Sequence, residues 1–123
     1  MKLQLIAGLL LFIFDQTLKT FLFIPSNVYV VNDARLTVLM LPFLLSFVLF
    51  AYVQRKFFLR RWYGKIVVGL VLGGAASNVF DVAVRGGVVD YVSLFDIVHF
   101  NLADVGIVAG LTYMSWSYLR LKR

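Results

Sequence analysis

The sequence predicts an all-α integral membrane protein: four transmembrane helices, both termini on the cytoplasmic side, and a small β-rich element outside the membrane. Three observations lead there. Hydrophobic residues make up 62% of the 123 positions, at a mean hydropathy of +0.91, which is too apolar for a water-soluble globule of this size. Four apolar stretches, roughly residues 3–24, 36–53, 66–83 and 103–119, are each long enough to cross a hydrocarbon core of about 30 Å as a helix. Nine of the twelve Lys and Arg residues fall on one side of the membrane if all four stretches cross it.

The first stretch follows Lys2 and continues well past the length of a signal-peptide h-region, with no small-residue cleavage site after it, so it reads as a retained helix. Asp15 lies in its outer half, and Lys19 follows at i+4 on the same face. A connection over 25–35 leads to the second stretch. The next connection, 54–65, carries Arg55, Lys56, Arg60, Arg61 and Lys65; with Lys2, Arg120, Lys122 and Arg123 these form the cytoplasmic set. Trp62, Tyr63, Trp116 and Tyr118 lie near the same ends, where aromatic side chains anchor helices at the interface.

The third stretch contains the run Gly73-Gly74-Ala75-Ala76-Ser77, small residues that let a second helix approach closely. Asn78 and Asp81 follow, three apart and so on one face, and polar groups at that depth must find partners within the bundle. The outer connection, 84–102, turns at Gly86-Gly87 and then runs through β-branched and aromatic residues over 88–98, which predicts a short strand or hairpin on the outer membrane surface. The fourth stretch closes a single domain over 1–123. No internal repeat is present.

The formal net charge of +6 is topological in its placement, so a nucleic-acid partner is not expected; the lipid bilayer is. There is no cysteine, which excludes disulfides, thiolate metal sites and a Cys nucleophile. His99 is the sole histidine and reads as an interfacial residue. With no Ser–His–Asp order, phosphate-cradling loop or zinc spacing, neither metal nor cofactor is expected, and the carboxylates are the candidates for chemistry. All six acids are Asp, and none lies in a cytoplasmic segment: Asp15, Asp33, Asp81, Asp90, Asp96 and Asp104 are within helices or on the outer side.

Each acid also has a plainer reading. Asp104, at the start of the fourth stretch, caps that helix if read in isolation. Asp90 alone is a loop aspartate, and Asp33 and Asp96 read as surface residues. Asp15 and Lys19 serve equally as a salt bridge locking the first helix or as part of a site.

Taken together, DQTLK at 15–19, GGAASNVFD at 73–81, GGVVDYV at 86–92 and FNLADVGIVAG at 100–110 resemble, in order and spacing, the motifs of the lipoprotein signal peptidases (signal peptidase II). The resemblance implies a metal-free aspartyl endopeptidase with Asp90 and Asp104 as its catalytic dyad. Asn78, Asp81 and Asn101 fall on supporting polar positions, Asp15 and Lys19 on the first-helix pair. The implied substrate is a prolipoprotein already carrying diacylglycerol on its lipobox Cys, cut just before that Cys. The implied location is the bacterial cytoplasmic (inner) membrane, multi-pass, with the site facing the periplasm or cell exterior and the chain a monomer. The chain departs from the family pattern at Ser77, where the family has Gly, at Val82, where it has Arg, and after the first helix, where only Asn32 is retained. Arg85, one helical turn beyond Val82, is the candidate to replace the Arg.

Two rivals remain open on the sequence. One is an inactive or substrate-shifted descendant of the same fold, which Val82 and the eroded Asn32 motif favour. The other is a small four-helix proton-coupled transporter, which would depend on Asp15 and give no role to Asp90 and Asp104.

Overall fold

The computed structural model describes residues 2–23, 29–31, 52, 60–95 and 97–121. The helix expected over 36–53, Asn32, Asp33 and Asp96 lie outside the described residues. Within them the chain is mostly helical, with a small antiparallel β component.

Helix α1 (Lys2–Phe23) is an almost unbroken apolar run that ends just ahead of Pro25, a residue that disfavours helix in the position before it. Strand β1 (Tyr29–Val31) follows. Helix α2 (Trp62–Arg85) starts after an extended Arg61 and ends on Gly86, whose left-handed φ of 76° is open to glycine and whose amide bonds the carbonyl of Val82 at 3.2 Å. That stop turns the chain straight into β2 (Val88–Asp90), then β3 (Val92–Leu94), β4 (Val98–Phe100) and helix α3 (Leu102–Leu121).

The strands form two separate two-stranded sheets. In one, β2 pairs antiparallel with β1, with Tyr29 opposite Asp90 and Val31 opposite Val88. In the other, β3 and β4 form a hairpin with Val92 opposite Phe100 and Leu94 opposite Val98. The hairpin occupies the 84–102 connection, where the β-branched run predicted strand. The pairing of β2 with a strand from the 25–35 connection has no signature in the sequence, because three residues of Tyr-Val-Val are too short to carry a periodic signal.

Helix α2 is central and packs against both α1 and α3. Its glycines explain how closely. A Cβ placed on Gly8 would sit 2.8 Å from the Gly69 carbonyl oxygen, and one on Gly74 would sit 2.6 Å from that of Ala103, so both crossings bring backbone against backbone. Beside them lies a small apolar core of Val68, Val71 and Met114, with Val67 against it.

Over Lys2–Leu22 and Trp62–Arg85 the helices are long and apolar enough to cross a membrane, at mean hydropathies of 1.6 and 1.8. Their large side chains point outward: Leu5, Leu9, Phe14 and Phe21 of α1, and Phe80 and Val84 of α2, are all exposed. A surface of that kind suits hydrocarbon as its solvent. Inside, by contrast, Asp15, Lys19, Ser77, Asp81 and Asn101 are completely buried.

Candidate active site

The buried polar residues gather where the C-terminal halves of α1 and α2 meet the start of α3 and strand β2. Lys19 lies at the centre, with no solvent exposure, its Nζ 2.6 Å from Asp15 Oδ2 and 2.6 Å from Asp81 Oδ2 and donating to Asn78 Oδ1 at 3.1 Å. The sequence reading paired Lys19 with Asp15 alone, as neighbours one turn apart. In the folded chain the ammonium bridges α1 to α2, because a buried carboxylate on each helix must be neutralised and one cation is within reach of both.

Every oxygen of these two acids is used. Asp15 accepts from Ser77 Oγ at 2.7 Å, from the Tyr91 hydroxyl at 2.9 Å and from the Ala103 amide at 3.2 Å. Asp81 accepts from Gln16 Nε2 at 2.9 Å and from the Val89 amide at 3.1 Å, and it is ion-paired with Arg85. Arg85 also donates to Gln16 Oε1 at 2.8 Å, so it belongs to the same network. The Val89 bond carries this order outward, since it holds the backbone of β2 one residue before Asp90.

Asn101 joins the second pair of acids. Its Nδ2 donates to Asp90 Oδ1 at 2.9 Å, sharing its protons with Asn78 Oδ1 and the Val89 carbonyl, while its backbone amide donates to Asp104 Oδ2 at 3.2 Å. The Asp104 amide returns a 2.9 Å bond to Asn101 Oδ1, so the two residues form a reciprocal cap on the N-terminus of α3. Asp104 therefore does cap its helix, but with one oxygen only. The other, Oδ1, accepts from Asn78 Nδ2 at 2.8 Å and faces the network.

Asp90 and Asp104 thus share Asn101, while the nearby cations, Lys19 and Arg85, are ion-paired with Asp15 and Asp81. Burial pushes the Asp90 carboxyl up to about 6, and the charge of Asp104 pushes the same way, against the Asn101 hydrogen bond, Lys19 and His99. The phenol of Tyr91 is also raised, mainly by burial, and stays protonated at any working pH.

Of the residues singled out from sequence, the fold brings Asp15, Lys19, Asn78, Asp81, Arg85, Asp90, Asn101 and Asp104 into this one network. Three participants escaped that reading: Gln16, Ser77 and Tyr91. Ser77 had a signal, lying at i−4 from Asp81 on the same face. Gln16 and Tyr91 had only their adjacency to Asp15 and Asp90. Among the described residues, no group of three or more His, Cys, Asp or Glu side chains is arranged to hold a metal ion.

A helical, outwardly apolar chain with an enclosed carboxylate cluster defines a class of membrane-embedded protein, and comparison with known proteins narrows it. Residues 26–120 match the family described as Signal peptidase (SPase) II. The chain belongs to that family. It is 40% identical over 82 residues to the lipoprotein signal peptidase of Helicobacter pylori strain 26695, a match covering 64% of this chain and 50% of the relative. It is 44% identical over 59 residues to that of Sulfurovum sp. strain NBC37-1, covering 46% of this chain and 39% of the relative. The matched segments thus span about half the length of these relatives or less. Two solved structures of a bacterial membrane enzyme, determined by the in meso method at 1.9 and 2.3 Å, share the fold. The first superposes with a TM-score of 0.71 at 18% identity, covering 94% of this chain and 92% of that one; the second gives 0.68 at 21%, covering 98% and 89%.

Proposed function

We propose that the chain is an aspartyl endopeptidase that removes signal peptides from diacylglyceryl-modified prolipoproteins, cutting just before the lipidated Cys, with Asp90 and Asp104 as its catalytic pair. The observation that carries this reading is Asn101 holding one oxygen of each carboxylate, beside a β2 strand anchored to Asp81. Two carboxylates so linked, with the neighbouring cations already paired elsewhere, share a proton more readily than they both ionise. The ionised member takes a proton from a water as it attacks the scissile carbonyl. The protonated member polarises that carbonyl and then protonates the departing amine.

The four crossings and cytoplasmic termini that the sequence predicts would put this pair at the outer edge of the bacterial inner membrane. There the acyl chains of the substrate stay in lipid while its peptide reaches the carboxylates. The full engagement of Asp15 by Lys19, Ser77, Tyr91 and Ala103 speaks against the transporter reading, which needs that acid free to exchange protons.

The rival reading of an inactive descendant rests on Val82. Arg85 answers it, because its guanidinium already engages Asp81 and Gln16 from one turn further along α2. Arg85→Ala is expected to lower processing; unchanged activity in that variant would remove Arg85 from the site. The decisive experiment is incubation of the purified protein with a diacylglyceryl-modified precursor, followed by mass analysis of the product N-terminus. Cleavage before the lipidated Cys, lost in Asp90→Asn and in Asp104→Asn, is the expected result. Processing that survives either change would remove the dyad.

A further inference from the structure

The first turn of α3 is capped by three elements at once. A helix begins with amides that have no intrahelical acceptor, and here three successive ones each meet a different side chain. The Leu102 amide donates to the Tyr91 hydroxyl at 2.9 Å, the Ala103 amide to Asp15 Oδ1 at 3.2 Å and the Asp104 amide to Asn101 Oδ1 at 2.9 Å. Only from Val105 onward does the helix supply its own acceptor, the Asn101 carbonyl. The Tyr91 hydroxyl closes the arrangement by donating its own proton to Asp15 Oδ1 at 2.9 Å. A single phenol therefore accepts from α3 and donates to α1, while its backbone directly follows Asp90.

We propose that Tyr91 is a positioning residue for the carboxylate pair: its hydroxyl clamps the end of β2, which carries Asp90, to the first turn of α3, which carries Asp104, using Asp15 as the fixed post. This rests on the peptidase reading above. Asn101 links the two carboxylates, by its side-chain amide on Asp90 and its backbone amide on Asp104, whereas Tyr91 links the two backbone segments that bear them. The phenol also keeps one polarity. Burial, with Asp15 and Asp104 adding to it, holds the hydroxyl protonated, so its proton faces Asp15 at every pH at which the protein works. Phenylalanine would fill the same volume but leave the Leu102 amide without its acceptor and take one donor from Asp15.

The test uses the full chain in detergent or bilayer, with Tyr91→Phe as the primary variant. Tyr113→Phe is the control, since Tyr113 packs far from the site against Tyr63 and Trp116. Leu102→Pro attacks the same clamp from the other side: proline is favoured at the first helical position, and it removes only the amide that reaches the phenol. On a diacylglyceryl precursor peptide, Tyr91→Phe is expected to lower kcat about 10- to 100-fold with KM nearly unchanged, as a small misplacement of reacting groups does. Leu102→Pro lowers it likewise, and combining the two adds little.

The acid limb of the rate profile moves to lower pH in Tyr91→Phe. The groups facing Asp90 are Asp104 from α3, Lys19 from α1, His99 from β4 and Asn101, and loosening the clamp weakens both influences that raise its carboxyl, burial and Asp104. A role confined to helix capping would lower thermal stability in Tyr91→Phe but leave kcat and the profile as in the wild type, and that result would overturn the proposal. If the wild type cuts no precursor, the peptidase reading fails, and the clamp is still decided by infrared titration of the Asp90 carboxyl, assigned by its loss in Asp90→Asn. A lower midpoint in Tyr91→Phe supports the clamp; an unchanged midpoint overturns it.

Discussion

The N-terminal and C-terminal halves of the α1–α2 pair are held by opposite means. Around Gly8, Gly69 and Gly73 the backbones of α1 and α2 touch, and Val68 and Val71 of α2 pack with Met114 of α3. Further along the same two helices Asp15, Lys19, Ser77 and Asp81 fill the interface without a solvent-exposed atom among them. In a bilayer, apolar side chains gain little by leaving lipid for a protein interior, so the N-terminal half depends on close contact between small residues. The C-terminal half depends on complete pairing, because an uncompensated charge there costs several kcal/mol. Close contact demands glycine at the crossing, where a Cβ would meet backbone. A paired network demands a partner for every polar atom, and it fixes where Asp90 and Asp104 stand.

That contrast is broken most severely by removing the shared cation. Lys19→Met leaves Asp15 and Asp81 facing each other across the interface and is expected to destabilise the protein by about 3–5 kcal/mol, read from unfolding in detergent. A variant as stable as the wild type would mean that the network is not what joins the C-terminal halves. In the N-terminal half, Gly73→Val drives a side chain into the backbone of Gly8 and is expected to cost about 1–3 kcal/mol by the same measurement, with the hydrogen bonds around Asn101 retained.

The smallest effect is a pH-dependent one. The carboxyl of Asp90 is raised from 3.8 to about 6 on folding, so its contribution to stability is full below about 4 and is lost as pH rises through about 6. Asn mimics the protonated form and can still accept from Asn101. Near neutral pH Asp90→Asn should therefore melt above the wild type, and the two melting temperatures should converge as the pH falls below about 4. A constant difference across that window would show that Asp90 is not the strained acid.

Much of this was legible in the sequence, for identifiable reasons. Helices α1 and α2 follow from uninterrupted apolar runs, and the close crossing at Gly73 follows from a string of small residues. Asp81 and Asn78 announced themselves as polar groups too deep to stand alone. What was not legible depends on partners distant in the chain. The i,i+4 spacing favours Asp15 as the partner of Lys19, and nothing local shows that α2 brings Asp81 to within the same 2.6 Å. Capping and membership of the site stood as alternatives for Asp104, yet a carboxylate has two oxygens, and the fold gives one to each use. Tyr91 looked like a strand aromatic because its value lies in a hydroxyl whose partners come from α1 and α3.

The central claim is that Asp90 and Asp104 act together on one water, and isotope labelling tests it most directly. Cleavage of a diacylglyceryl precursor in water enriched in oxygen-18 should place one labelled oxygen in the new C-terminal carboxylate of the released signal peptide. Asp90→Asn and Asp104→Asn, folded and carrying the Asn101 bonds, should yield no labelled fragment. Label appearing at the wild-type rate in either variant would contradict the account.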